Sequence, residues 1–222
     1  MLETRPRSVS TVHPAGGVFR EIRSTDKHGL RAVLLLARRC NYDGVHARRV
    51  ARMAVRLFDE LRPLHGLNRD ARYWLVCAAI LHDVAKGLER HHKAAFQIVM
   101  STRHLPFDLR TRRIVGLTAR YHRKATPSVK HPHFSALIGE HREIVRRLAA
   151  ILRLADALDC GHRGLVRSVR CKVVSGEIIS RCKLANHAQS DQRRQLKRKM
   201  QQKSLLLQKV FGCKLTIKWS AN

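Results

Sequence analysis

Four residues of this chain carry side chains suited to holding a divalent cation, and they lie in three separated stretches: His46, the adjacent pair His82-Asp83, and Asp156. Imidazole nitrogen and carboxylate oxygen are ligand atoms that Mn, Fe, Ni, Co and Zn accept, and Mg takes the carboxylates. Each stretch places them beside apolar residues: Val45 and Ala47, Leu81 and Val84, Ala155 and Ala157. A polar group on a core-facing surface costs desolvation free energy unless it is hydrogen-bonded, paired or metal-bound. A single His-Asp pair is weak grounds, because a helical histidine is more often a hydrogen-bonded structural residue. The combination across three stretches carries the weight.

The elements that must bring these side chains together read as helices. Apolar residues recur at helical spacing through Leu30, Val33, Leu34 and Ala37, and again from Val45 to Leu61 before Pro63. A third helix is expected from the N-cap Asn68 through Trp74, Cys77 and Leu81 to a stop at Gly87. Helices are expected near 91–102 and 108–123, then a loop from Lys124 to His133 containing Pro127 and Pro132, then a long helix from Phe134 to Cys160. After Gly161 the pattern changes to alternating strands over Leu165–Val174 and Glu177–Leu184, joined by the hairpin signal Ser175-Gly176. A helix from Ser190 to Phe211 and a strand from Cys213 to Trp219 complete a ββαβ unit. The expected fold is mainly α, a helical bundle over residues 27–164 with a small C-terminal α+β appendix over 165–222, preceded by a flexible arm over 1–26.

The order His46, His82-Asp83, Asp156 resembles the H…HD…D signature of the HD superfamily of metal-dependent phosphohydrolases. Longer strings add to this: Val45-His46-Ala47-Arg48-Arg49-Val50-Ala51, Ala78-Ala79-Ile80-Leu81-His82-Asp83-Val84, His91-His92-Lys93, Tyr121-His122-Arg123-Lys124-Ala125-Thr126-Pro127 and Ala150 to Asp159. Together they are similar to the C-terminal region of the exopolyphosphatase / guanosine-pentaphosphate phosphatase (Ppx/GppA) family, over about residues 29–219. The family's full-length members hydrolyse polyphosphate or guanosine pentaphosphate in N-terminal actin-like domains. No Gly-rich phosphate loop precedes His28, so that activity is not expected here.

The resemblance implies an HD-type bundle in which His46, His82, Asp83 and Asp156 hold a metal ion, with His92 and His122 as candidates for a second. Asp159 is the rival to Asp156 and is given a supporting role behind the ligands. Asp83 is the expected proton acceptor. Lys86 resembles the lysine of HD-x-x-K variants that faces the phosphate, although a lysine at a helix end also serves the dipole alone. Arg120, Arg123 and Lys124 flank His122 as candidate phosphate-binding cations, unless they are only solvated.

Charge points to the same class of ligand. The 222 residues contain 45 Lys+Arg against 16 Asp+Glu, a formal charge of +29. Residues 161–222 alone hold 15 Lys+Arg against 2 acids. Arg193, Arg194, Lys197, Arg198 and Lys199 form a basic stripe that can follow a polyanion backbone. Few aromatics accompany it, so binding to RNA is expected to be electrostatic and nonspecific. The longest apolar run, Leu75–Leu81, is too short for a membrane span, no secretory signal opens the chain, and six cysteines show no metal-finger spacing. A cytoplasmic protein with no membrane contact is expected. Two functions compete: a metal-dependent phosphohydrolase acting on a phosphate ester or phosphoanhydride with one or two divalent ions, and a non-catalytic module that binds RNA, polyphosphate or a nucleotide.

Overall fold

The computed structural model describes residues 23–186 and 188–220. Most of the expected arm therefore lies outside the described residues. Helix α1 (Ser24–Arg39) is followed by α2 (Gly44–Glu60), the single turn α3 (Arg62–His65), α4 (Arg69–Leu81), α5 (His91–Ser101), α6 (Leu109–Arg120), a second single turn α7 (Pro132–Ser135), and the long α8 (Gly139–Leu158). Strands β1 (Val166–Val174) and β2 (Glu177–Leu184), helix α9 (Ser190–Phe211) and strand β3 (Lys214–Ser220) complete the chain. The fold is mainly α with a small β appendix, as the periodicity predicts. Among the described residues no helix is long and apolar enough to cross a membrane.

Local chemistry sets several of these boundaries. Asn68 caps α4 by accepting from the Ala71 N–H at 3.0 Å, and Asp108 caps α6 by accepting from the Thr111 N–H at 2.8 Å. α4 ends at Leu81, well before the expected stop at Gly87, because the His82 Nδ1–H donates to the Ala79 carbonyl at 2.8 Å. A side chain that takes an i−3 carbonyl competes with the next helical N–H for the same acceptor. α6 ends the same way, with His122 Nδ1–H on the Ala119 carbonyl at 2.7 Å. α8 begins at Gly139 rather than Phe134, since the Pro132 segment forms its own turn and Phe134 is buried beneath it.

α2, α4, α6 and α8 pack against one another, and their facing stripes form the core: Val50, Leu57, Leu75, Ala78, Ile114, Leu117, Leu148 and Leu152 are fully buried. β1 and β2 are antiparallel and turn through Ser175 and Gly176, both at positive φ as a two-residue hairpin requires. β3 adds parallel to the other edge of β2, so α9 is the crossover between them. α9 lies along α8 and buries Leu196, Met200 and Leu207. One apolar cluster runs without a break from the bundle into the appendix. Leu207→Ala is expected to cost about 2–5 kcal/mol and to lower the midpoint of a single cooperative transition in chemical denaturation, since bundle and appendix share that cluster.

Candidate metal centre

The ends of α4, α6 and α8 and the start of α2 converge on one point, which brings together residues spread over more than a hundred positions. His46 is in the first turn of α2, whose N-cap Asp43 accepts from the Val45 and His46 N–H groups. His82 and Asp83 leave the end of α4, His122 the end of α6, and Asp156 and Asp159 the last turn of α8 and its cap. His46, His82, His122 and Asp159 are each no more than 2% exposed, and Asp156 only 9%.

The imidazoles of His46, His82 and His122 are each fixed through Nδ1. A backbone carbonyl can only accept, so His82 and His122 must carry their protons on Nδ1, as the bonds to Ala79 and Ala119 show. His46 Nδ1–H donates to Asp159 Oδ2 at 2.8 Å. Asp159 is itself held by the Gly164 N–H at 2.9 Å and faces the Arg49 guanidinium at 3.7 Å. Gly164 has φ +62°, and a Cβ there would meet the Arg49 guanidinium carbon at 2.7 Å, so this close approach requires glycine.

With Nδ1 occupied, every Nε2 turns inward. His46 and His82 Nε2 are 3.2 Å apart, and Asp156 Oδ1 lies 3.5 and 3.7 Å from them. Asp83 faces both ways: Oδ2 is 4.0 and 3.8 Å from His46 and His82 Nε2, while Oδ1 is 3.4 Å from His122 Nε2 and 3.6 Å from His91 Nε2. Two groups able to hold a metal ion therefore share this carboxylate: His46, His82 and Asp83, and Asp83, His91 and His122. The donor set of imidazoles and carboxylates suits a divalent cation, which can take the place of the proton that two ring nitrogens 3.2 Å apart share in its absence.

The electrostatics are those of charges withdrawn from water. Burial works against ionisation of Asp156, but the facing His46 and His82 rings and the charge of Lys203 hold it well below the usual carboxylate range. Asp83 is likewise lowered, burial being outweighed by His122 and His82. Burial pulls the His46 imidazole down, and Asp156 and Asp159 together lift it to about 9. Burial takes His122 down to about 4 against the opposing pull of Asp83.

The structure brings His46, His82, Asp83, Asp156 and His122 together, and Asp159 lies behind His46, bonded to its Nδ1. At the start of α5 it is His91, not His92, that faces Asp83. Consecutive helical residues point about 100° apart, so only one of the pair can do so. Arg90, left-handed at φ 54°, sets the phase that chooses it. His92 is buried beside it, 6.0 Å from ring to ring. Lys86, Arg123 and Lys124 line a cavity of about 500 Å³ over the centre. Arg120 does not; its guanidinium lies over the Phe96 and Tyr121 rings at 5.8 and 5.7 Å.

Two further side chains complete the site. His162 stacks on His46 with centroids 3.6 Å apart, bonds Asp43 Oδ2 through Nδ1 at 2.7 Å, and lies 3.1 Å from Lys86 Nζ. Its left-handed backbone, φ 59°, belongs to the loop that returns from Asp159 to Gly164. The glycines on either side of His162-Arg163, directly after the ligand helix, are a usable sequence signal for it. Lys203 reaches Asp156 Oδ2 from α9. Nothing in the sequence marks it, since it is one basic residue among many.

A family model described as Ppx/GppA phosphatase, domain III, matches residues 30–205, from α1 into the last turns of α9. No curated protein matches the chain. Asp159→Asn keeps the fold but weakens the grip on His46. It is expected to lower the affinity for Mn or Zn by roughly 10–100-fold in calorimetric titration, and an unchanged affinity would show that the His46 orientation does not depend on Asp159.

Proposed function

The chain belongs to the Ppx/GppA phosphatase domain III family, and from that premise we propose that it is a metal-dependent phosphohydrolase of the HD type. It cleaves a phosphate ester or phosphoanhydride of a nucleotide or polyphosphate-like anion. The supporting observation is the fixing of His46, His82 and His122 through Nδ1, so that their Nε2 atoms meet on the carboxylates of Asp83 and Asp156. Structural histidines have no need of this arrangement, and ligands do.

His46, His82, Asp83 and Asp156 would hold one ion, and Asp83 with His91 and His122 a second. When bound, a divalent ion of the Mn, Fe, Ni, Co, Zn or Mg group lowers the pKa of water toward neutrality and draws electron density from a phosphoryl oxygen. The protein supplies the rest. Asp83, held ionised, or a neighbouring carboxylate would take a proton from the attacking water. Lys86 and Lys124 offer ammonium groups, and Arg123 a guanidinium that can bind two oxygens at once, against the charge that grows on the phosphoryl group. Arg123 Nη1 lies 3.1 Å from His91 Nε2 at the edge of the centre, and the guanidinium would be released to the phosphoryl group by an ion taking that nitrogen. We place this activity in the cytoplasm, where the six free cysteines stay reduced.

A second reading, a polyanion-binding module, is favoured by α9, along which Arg193, Arg194, Lys197 and Arg198 are all exposed, Arg193 also donating through Nε to the Ala188 carbonyl at 3.2 Å. A strand of RNA or polyphosphate would be held there by its backbone charge.

Metal analysis and hydrolysis of a generic phosphodiester, nucleotides and inorganic polyphosphate test the enzymatic reading. The wild type is expected to carry metal and turn over at least one of these. Asp83→Ala, which removes the carboxylate common to both groups, is expected to lose metal and to drop turnover by more than about 100-fold. A wild type that neither purifies with nor takes up metal would rule this reading out. For the second reading, log affinity for a single-stranded RNA is expected to fall linearly with log salt. Replacing Arg193 and Arg194 by Gln should reduce that slope by about 0.7 for each phosphate that is no longer neutralised, and an affinity indifferent to salt would refute it.

A further inference from the structure

The cavity over the metal centre has basic residues from two parts of the chain, the helical bundle and the C-terminal appendix. Lys86 and Arg123 lie on the side of the helical bundle, while Lys199 and Lys203 face them from α9. The two α9 lysines are one turn apart, on the same stripe of the helix. They are placed there by burial of Leu196, Met200 and Leu207 between α9 and α8, not by their own charges. Lys203 reaches furthest: its ammonium pairs with Asp156 Oδ2, and its side chain keeps 23% of its surface exposed to the cavity. Asp156 Oδ1 meanwhile faces His46 and His82. A cation from the appendix thus sits at the boundary between a candidate ligand and the space in which a substrate must lie.

We propose that α9 is part of the phosphate site, with Lys203 gripping the phosphoryl group from the side opposite Lys86 and Arg123, and Lys199 extending the grip outward. This rests on the hydrolase reading above. Lysine suits the task because its ammonium has three rotatable donors on a flexible stem and is not committed to one planar partner. When Asp156 is engaged by a divalent ion, an ammonium beside that ion is repelled. A phosphoryl oxygen in the cavity then offers it a counter-charge. The appendix and the bundle consequently do not divide cutting and holding between them: one helix contributes to both, with Lys199 and Lys203 lining the cavity and Arg194, Lys197 and Arg198 exposed outside it.

The test is calorimetric binding of inorganic phosphate to the full chain, with and without Mn, for wild type, Lys203→Gln, Lys203→Arg and Lys209→Gln. Lys209 is an exposed cation of the same helix remote from the cavity, and its replacement controls for net charge. Removing one charge-assisted hydrogen bond is expected to weaken phosphate binding by about 10–100-fold in Lys203→Gln. Lys203→Arg should recover part of it, and Lys209→Gln should match wild type. Mn affinity of Lys203→Gln should equal or exceed that of wild type, since Asp156 is freed of a competitor. Phosphate binding unaffected by Lys203→Gln, lowered equally by Lys209→Gln, or absent from the wild type overturns the proposal. So does loss of Mn binding in Lys203→Gln, which would make Lys203 a structural support of Asp156. Failure of the hydrolase reading is separate: it shows as absence of metal and turnover in the wild type, while the phosphate comparison still reads out.

Discussion

Burying three imidazoles and two carboxylates at one junction of helix ends is the constraint on which the arrangement depends. A charge removed from water must find partners or be neutralised, and the cost of leaving it alone is several kcal/mol per ion. This chain meets the demand in layers. The outer ring nitrogens are satisfied by two helix-terminal carbonyls and by Asp159, which is satisfied in turn by Gly164 and Arg49. The inner nitrogens and the carboxylates are left facing one another, and Lys203 adds a positive charge to Asp156.

Helix termination serves this arrangement directly. α4 and α6 both stop where a histidine turns back on its own last turn, so the bond that ends the helix also sets the tautomer of the ring. The site is thereby built on backbone geometry. Loop conformation matters at Arg90 before His91 and where the chain passes from Asp159 to Gly164, where Gly161, His162 and Gly164 all adopt positive φ. That return loop places His162 over His46, and the His162 carbonyl accepts from Arg49 of α2 at 3.1 Å.

The appendix is joined to the bundle by the same means that hold the bundle together, apolar burial along α8 and α9 and of β1 against α2. Glu60 at the end of α2 adds a polar tie, accepting from the Cys171 N–H and from Arg170 of β1. The high positive charge is therefore distributed by packing. The buried stripe of α9 decides which of its cations face the centre and which turn away from it.

The helices, the hairpin and the ββαβ order were legible in the sequence because each follows from a local period or a turn signal, as with Asn68 before α4 and Ser175-Gly176 between β1 and β2. His46, His82-Asp83 and Asp156 were legible as candidates because polar ligand types stand out among apolar neighbours. The stop of α4 at Leu81 was not, since a histidine competing for Ala79 leaves the same letters as a helix that continues. Nor was the choice of His91 over His92, which depends on helical phase set by one left-handed residue, nor the stacking of Arg120 on Phe96 and Tyr121. Lys203 is the clearest case. By itself the sequence determined which residues can bind a cation or an anion, because that is a property of the side chain. Only the tertiary structure decided which of them meet, because the packing of α9 on α8 brings a lysine 47 positions away onto Asp156, and no local pattern encodes that distance.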